Sequence, residues 1–442
     1  MLFVHTSPEL IEQISLWPSI PFFLILLAIA IGPLVAEEWW DNNRNKLLVS
    51  VVLSIPTVYY LVSSGLTEHL EHQIVNDYIP FIILLTSLFV ITGGIHLSGD
   101  IKAKPGVNTL FLGLGYLLAS FMGTTGAAML LIRPVISINK QRHFSVHTIL
   151  FFIAAVANCG GLLTPLGDPP LLMLYLRGAS FTWFFSLIPE WAFVGALLLV
   201  AYFIIDSYYY KKELPKDLAA DAKEIKPIRI TGFRNIVLLL GVVFSVAFIN
   251  HDVIPEMSGA DAPFGLKHLR EIVLLALTVI AYVITPQKIR NGNRFSWGPI
   301  VEVAVVFIGI FVTMTPTLIF LQQHASSMGL TEPWHFYYAT GFLSAFLDNT
   351  PTAVAFHSVA SNIPIADGIP VVANVAENIL SAIATSAVFF GALTYIGNGP
   401  NFMVKSIAED HGIKMPSFFG YVIKFSLIIL LPIYILTQLI FM

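Results

Sequence analysis

The sequence is short of charge. Only 11% of its 442 residues are Asp, Glu, Lys or Arg, where a soluble domain carries about 25%. Such a chain cannot cover itself with a water-facing surface. It also lacks a basic surplus. The formal net charge is −4, with no dense Lys/Arg patch to hold a phosphate backbone, which argues against a nucleic-acid partner. Cysteine is almost absent. Cys159 stands alone, which rules out an internal disulfide and a multi-cysteine metal site. No phosphate loop, HExxH or GxSxG motif occurs, so neither ATP-driven pumping nor an intramembrane enzyme has support. The opening stretch, MLFVHTSPELIEQISLWPS, has no Lys or Arg. A secretory signal needs a positive start, so residues 18–36 are expected to be a retained first span.

What is present is apolar: 56% of residues are hydrophobic. A bilayer core of about 30 Å needs roughly 20 such residues per helix. Ten full spans are expected at about 18–36, 45–64, 79–97, 145–176, 182–206, 235–250, 270–286, 298–321, 371–402 and 417–440. Two further stretches, 107–133 and 335–362, carry polar clusters near their middles. Charge placement sorts them. Segment 207–234 holds Lys211, Lys212, Lys216, Lys223, Lys226, Arg229 and Arg234 and is read as a basic cytoplasmic linker. Residues 133–143 and 288–294 read the same way, while 65–78 has no Lys or Arg and reads as external. These signs agree if 107–133 is a re-entrant hairpin from the inside and 335–362 one from the outside. Both termini are then expected outside, in a multi-pass protein of the inner (plasma) membrane.

The linker divides the chain into 1–206 and 235–442. Each half has three spans, a hairpin, a broken span and a last span. Five crossings is an odd number, so the second half is inserted upside down. The expected fold is an all-α polytopic membrane protein of two inverted repeats, with hairpin 107–133 and broken helix 145–176 in one, hairpin 335–362 and broken helix 371–402 in the other. GLLTPLGDPPLLM (161–173) aligns with GALTYIGNGPNFM (391–403) at a shift of 230. FMGTTGAAM (121–129) aligns with FLDNTPTAV (346–354) at a shift of 225. Inverted repeats with interrupted helices point to a secondary transporter.

The interruptions suggest a site. Pro removes a backbone donor and Gly weakens a helix. In hydrocarbon each freed backbone group costs several kcal/mol unless it lines a polar cavity or is buried in protein. Asp168, beside two prolines, therefore marks a place an ion visits, as does its aligned partner Asn398 with Asn401. The hairpin tips add Thr124 and Thr125 in one half and Asp348, Asn349 and Thr350 in the other. Asn158 and Thr164 flank the first break. Two carboxylates among Asn and Thr oxygens suit a hard cation such as Na⁺, so Asp168 and Asp348 are the candidate ligands of a transported Na⁺. A buried carboxylate charge needs a partner, and Na⁺ and H⁺ can compete for that place. Glu377 and Glu190 are weaker candidates for a proton relay. Arg133, His143 and His147 are expected at the interface, and His357 in packing. No cofactor is expected; Na⁺ and H⁺ enter as transported or coupling ions.

At Thr164-Pro-Leu-Gly-Asp-Pro-Pro and Leu347-Asp-Asn-Thr-Pro-Thr the chain resembles the ion transporter superfamily, in particular the sodium/proton antiporters of the NhaD type and their citrate-transporter-like relatives. The resemblance covers nearly the whole chain and implies a scaffold, a mobile transport part, elevator-like alternating access and a homodimer. The sequence departs at Leu171, where relatives often have Asn. The carboxylate–sodium symporter branch carries Ser-Asn-Thr at both hairpin tips, where this chain has Gly123-Thr124-Thr125 and Asp348-Asn349-Thr350. A carboxylate substrate would meet Asp348 unfavourably unless a cation shields it. The expectation is thus Na⁺(Li⁺)/H⁺ antiport, with Na⁺- or H⁺-coupled transport of citrate, a dicarboxylate or another anion as the alternative.

Overall fold

The computed structural model describes residues 14–221, 225–259 and 262–442. The expected external placement of the N-terminal stretch before Ile14, and Lys223 of the linker, lie outside the described residues. The chain is an all-α polytopic membrane protein. Among the described residues, seven helices are long and apolar enough to cross a membrane, and others are shorter apolar pieces. Its apolar side chains point outward as well as inward. Val51, Val52, Ile55, Tyr59 and Val62 of one helix are exposed, which suits lipid and not water.

The helices fall into two packed groups. The first, a frame, comprises α1 (Ile20–Val35), α2 (Asn43–Ser63), α3 (Ile79–Thr92), α9 (Phe233–Phe248), α10 (Leu269–Ile284) and α11 (Gly298–His324). Here α11 lies along α2 and α1, and α3 packs on α9 and α10. With 27 residues, α11 is about 40 Å long, enough to cross the bilayer with a margin. The second group holds α4 (Pro105–Met122), α5 (Thr124–Ile138), α6 (Val146–Ala155), α7 (Pro169–Leu176), α12 (Pro333–Phe346), α13 (Asn349–Ala360), α14 (Glu377–Phe390) and α15 (Gly399–Asp410). Helix α8 (Ile188–Tyr210) and the C-terminal helix Phe418–Phe441 pack against this second group. Helix α4 turns into α5 at Gly123, and α12 into α13 at Leu347 and Asp348.

Some boundaries move. The stretch 65–78, expected as an outer loop, is largely helical and continuous with α3, because Gln73 and Asp77 are buried there. The second broken helix starts at Glu377, after a two-residue pairing of Val371–Val372 with Val375–Ala376, and runs on to Asp410. The described parts of the linker are structured. Its Lys226–Thr231 strand pairs antiparallel with His96–Asp100, next to the base of the first hairpin.

Candidate functional site

The breaks are made by helix starts. At the first, α6 ends near Ala155, a 3₁₀ turn covers Cys159–Leu163, and α7 begins with Pro169 and Pro170 at its first positions. There a missing N–H costs nothing and the fixed φ is already helical. The prolines therefore initiate α7 and do not kink an existing helix. The unwound chain crosses itself closely. A Cβ on Gly167 would lie 1.9 Å from the carbonyl oxygen of Gly161, so only glycine fits. The second break repeats this with a 3₁₀ turn at Gly391–Leu393 and a new helix at Gly399-Pro400.

The same hydrogen bonds hold both breaks. The Thr164 hydroxyl donates to the Ser120 carbonyl, and the Thr394 hydroxyl to the Ala345 carbonyl. Each threonine oxygen accepts from the backbone two residues on, Leu166 N and Ile396 N, at 3.2 Å. The hydroxyl of Thr164 is thus engaged in holding the break. Asn401 does similar duty: its amide donates to the carbonyls of Gly391 (2.8 Å) and Thr394 (2.9 Å). These are backbone oxygens that the break would otherwise orphan.

Asp168 is the hub. It is 1% exposed. Its Oδ1 accepts from the Thr124 hydroxyl at 2.7 Å and from Asn398 Nδ2 at 3.1 Å, and its Oδ2 accepts from Asn349 Nδ2 at 2.6 Å. Three donors on two oxygens is the pattern an ionised carboxylate satisfies, since it accepts only. Asn398 Nδ2 also reaches Asn158 Oδ1 (3.2 Å), and Asn158 donates to Asn401 Oδ1 (2.7 Å). One buried chain of amides therefore joins the two breaks. Asp348 is placed differently. It caps α13, its Oδ1 accepting from Thr350 N at 2.9 Å, and it is half-buried.

A cavity of about 120 Å³ lies beside this network. Thr124, Thr125, Asp348, Asn349 and Asn398 form its polar wall, and no Lys, Arg or His among the described residues lines it. The opposite wall is the frame: Leu85, Leu88 and Phe89 of α3, and Pro299, Val303 and Phe307 at the start of α11. The cavity thus sits between the two helix groups. Four helices, α5, α7, α13 and α15, begin at its edge. Each N-terminus carries roughly half a positive charge, so together they offer about +2 against the two carboxylates' −2. The site is close to balanced before any ion arrives. At about 30 Å³ per water, the volume suits a small ion with part of its hydration shell.

Thr164, Asn158 and Asn401 lie behind the cavity wall, as does Asp168, which reaches the cavity through its partners. Thr350 is buried just past the tip and donates to Asn349 Oδ1 at 3.5 Å. Glu377 accepts from Trp183 Nε1 at 3.1 Å, away from the cavity. Glu190 is buried at the start of α8 and also stands apart. His357 is buried away from the cavity lining, and its Nε2 bonds the Ala373 carbonyl oxygen at 3.0 Å. Arg133 donates to the Asn293 carbonyl oxygen of the frame at 3.3 Å. The sequence reading missed the frame wall, because Pro299, Val303 and Phe307 are apolar and carry no signal. It also missed Arg142, which pairs with Asp206 Oδ1 at 2.7 Å and Glu213 at 3.4 Å, and the accompanying His147–Asp206 contact at 2.8 Å.

Two helix groups around a polar site at opposed helix breaks define a class of multi-pass membrane protein. Comparison with known proteins refines it. The chain belongs to the family described as "Putative citrate transport", which it matches over residues 11–442. Inner membrane protein YbiR of Escherichia coli K12 is 27% identical over 158 residues, 33% of this chain and 42% of that protein. Uncharacterized transporter MJ0672 of Methanocaldococcus jannaschii is 22% identical over 191 residues, 42% of this chain and 41% of that protein. The chain thus aligns with less than half the length of each of these relatives.

Proposed function

We propose that the chain is a secondary active transporter that exchanges Na⁺ (or Li⁺) for H⁺, the two competing for Asp168 and Asp348. The observation that carries this reading is the polar side of a largely apolar cavity: carboxylate, amide and hydroxyl groups, with no Lys, Arg or His among the described residues that line it. Its size, below the roughly 300 Å³ at which small-molecule pockets begin, supports an ion over a tricarboxylate. The matching turns, prolines and threonine bonds at the two breaks support a duplicated, inverted chain of two halves, 1–206 and 235–442, joined by the linker 207–234. The position of the cavity between the helix groups supports movement of the hairpins and broken helices against the frame. On the charge reading, the cavity faces the end of α11 that follows Lys288, Arg290 and Arg294, the cytoplasmic end. A homodimer in the inner membrane with external termini completes the proposal.

A second reading is favoured by a specific observation. The family description and the four helix N-termini both favour an anion such as citrate, carried with Na⁺ or H⁺. Proteoliposomes with a preset pH gradient separate the two. Dissipation on adding Na⁺ or Li⁺ alone supports exchange. Accumulation of labelled citrate or succinate, with no response to Na⁺ alone, would establish the anion reading instead.

A further inference from the structure

A second cavity, of about 810 Å³, lies well away from the carboxylates. It opens between the loop that joins α5 to α6 and the loop 411–414 that follows α15. Arg133, Lys140, Arg142, His143, His411 and Lys414 line it, and no Asp or Glu among the described residues does. Some of this charge is already met. Lys140 lies 3.5 Å from Asp100, and Arg142 is held by Asp206 and Glu213. The supply of donors still exceeds the demand. Arg142 has a side chain only 1% exposed, yet its Nη2 is buried without a hydrogen-bond partner, as is Nε of Arg133. Buried guanidinium donors left unpaired cost free energy. The N-terminus of α6 adds its own pull: Ser145 and Val146 line the cavity, and the Ser145 side chain makes no cap.

Fixed guanidinium donors, further cationic side chains and a helix N-terminus in one concavity are the chemistry that recognises phosphate. Both loops fall on the face that the charge distribution assigns to the cytoplasm, where basic pockets between spans take anionic headgroups. We propose that this cavity binds the phosphate group of an anionic ligand, supplied by an acidic phospholipid headgroup or by free phosphate. Its occupant bridges the loop after the first hairpin to the loop after the second broken helix, and so stabilises the folded chain.

The test uses the purified full chain in neutral detergent and reads the thermal unfolding midpoint. One arm adds phosphatidylglycerol, with phosphatidylcholine as control. The other adds potassium phosphate, with potassium chloride at equal ionic strength. Potassium salts keep Na⁺ out of the comparison. A rise with phosphatidylglycerol only identifies a lipid headgroup, a rise with phosphate only a soluble ligand, and a rise with both a site that reads the phosphate itself. Each cavity lysine should contribute about fivefold in affinity, so Lys140→Gln with Lys414→Gln should right-shift the titration by roughly 25-fold, while Lys288→Gln, outside the cavity, should leave it in place. If the double variant is unstable in phosphatidylcholine, exposed Lys414→Gln alone makes the comparison, with a fivefold shift expected. No rise in either arm, or identical titrations for Lys414→Gln and Lys288→Gln, would overturn the proposal.

Discussion

At the first break the backbone at Asp168 has φ −147° and ψ 143°; at the second, Asn398 has φ −151° and ψ 139°. Both precede a helix with proline in its first turn, and both follow a threonine bonded to a hairpin carbonyl. The side chains differ by one atom type, and that decides their roles. Asp168 accepts from three donors. Asn398 is one of those donors, and its amide also faces the Ala157 carbonyl at 3.3 Å and Asn158 Oδ1 at 3.2 Å. A carboxylate at 398 would point its oxygens at oxygens. The two breaks are therefore copies in backbone and complements in chemistry, with the charge confined to the first. A second asymmetry follows at the helix ends. Arg177, just past α7, pairs with Asp77 beneath α3 at 2.9 Å, while the aligned position is Ile407. The first broken helix is tied to the frame by charge and the second lacks that tie.

The largest effect expected is from removing the hub charge. Asp168→Asn should reduce Na⁺-driven dissipation of a pH gradient to background. Its new NH₂ would face donors, at a cost of about 1–3 kcal/mol, offset by no longer burying a charge; an unchanged gel-filtration profile should report a retained fold. Adding Asn398→Asp should not restore exchange, because the moved carboxylate would have the new amide at position 168 as its one donor among these contacts and would face the Ala157 carbonyl and Asn158 Oδ1, in place of the three donors around Asp168. Rescue by this swap would mean that the breaks are interchangeable.

Next come the glycines at the self-crossings. A Cβ on Gly167 would sit 1.9 Å from the Gly161 oxygen, and one on Gly397 would sit 2.6 Å from the Gly391 oxygen. Both obstacles are backbone. Overpacking of this kind costs about 1–3 kcal/mol or more, so Gly167→Ala should lower the unfolding midpoint further than Gly397→Ala. The reverse order would show that the second crossing is the tighter one in the membrane.

A smaller loss is expected from the donors. Hydrogen bonds to a charged group contribute about 1.5–3 kcal/mol, so Asn349→Ala should weaken apparent Na⁺ affinity by roughly tenfold or more. Asn398→Ala should weaken it less, its bond to Asp168 being 3.1 Å against 2.6 Å. The half-saturation for Na⁺ in the same liposomes measures both. Smallest is Arg177→Gln. A partly exposed ion pair contributes about 1 kcal/mol or less, which predicts a twofold to fivefold change in turnover. Ile407→Ala, at the aligned position, should leave turnover unchanged, since no charge ties that end to the frame.

Much of this was legible in sequence, because a membrane chain cannot hide a polar break. Gly167-Asp168-Pro169-Pro170 and Gly397-Asn398-Gly399-Pro400 had to mark helix interruptions, and the tips at 123–125 and 348–350 had to mark hairpin turns. The division of labour was not legible. Thr164 and Asn401 look like ligands by residue type, yet they are spent on backbone oxygens. Asp168 and Asp348 look equivalent by composition, but one is enclosed by donors and the other caps a helix at the cavity wall. The Arg142–Asp206–Glu213 cluster joins residues 64 to 71 apart, with no local pattern to announce it. The frame wall at Pro299, Val303 and Phe307 is apolar like every other span, and only packing shows that it faces the site.

The central claim is that Na⁺ and H⁺ compete for the carboxylates at Asp168 and Asp348. Calorimetric titration of the purified chain with Na⁺, repeated in buffers of different ionisation enthalpy, counts the protons released per ion bound. Competition predicts release of at least a fraction of a proton per Na⁺, a dissociation constant that rises as pH falls, and loss of both signals in Asp168→Asn. Na⁺ binding that releases no protons and keeps the same affinity across pH would contradict the account.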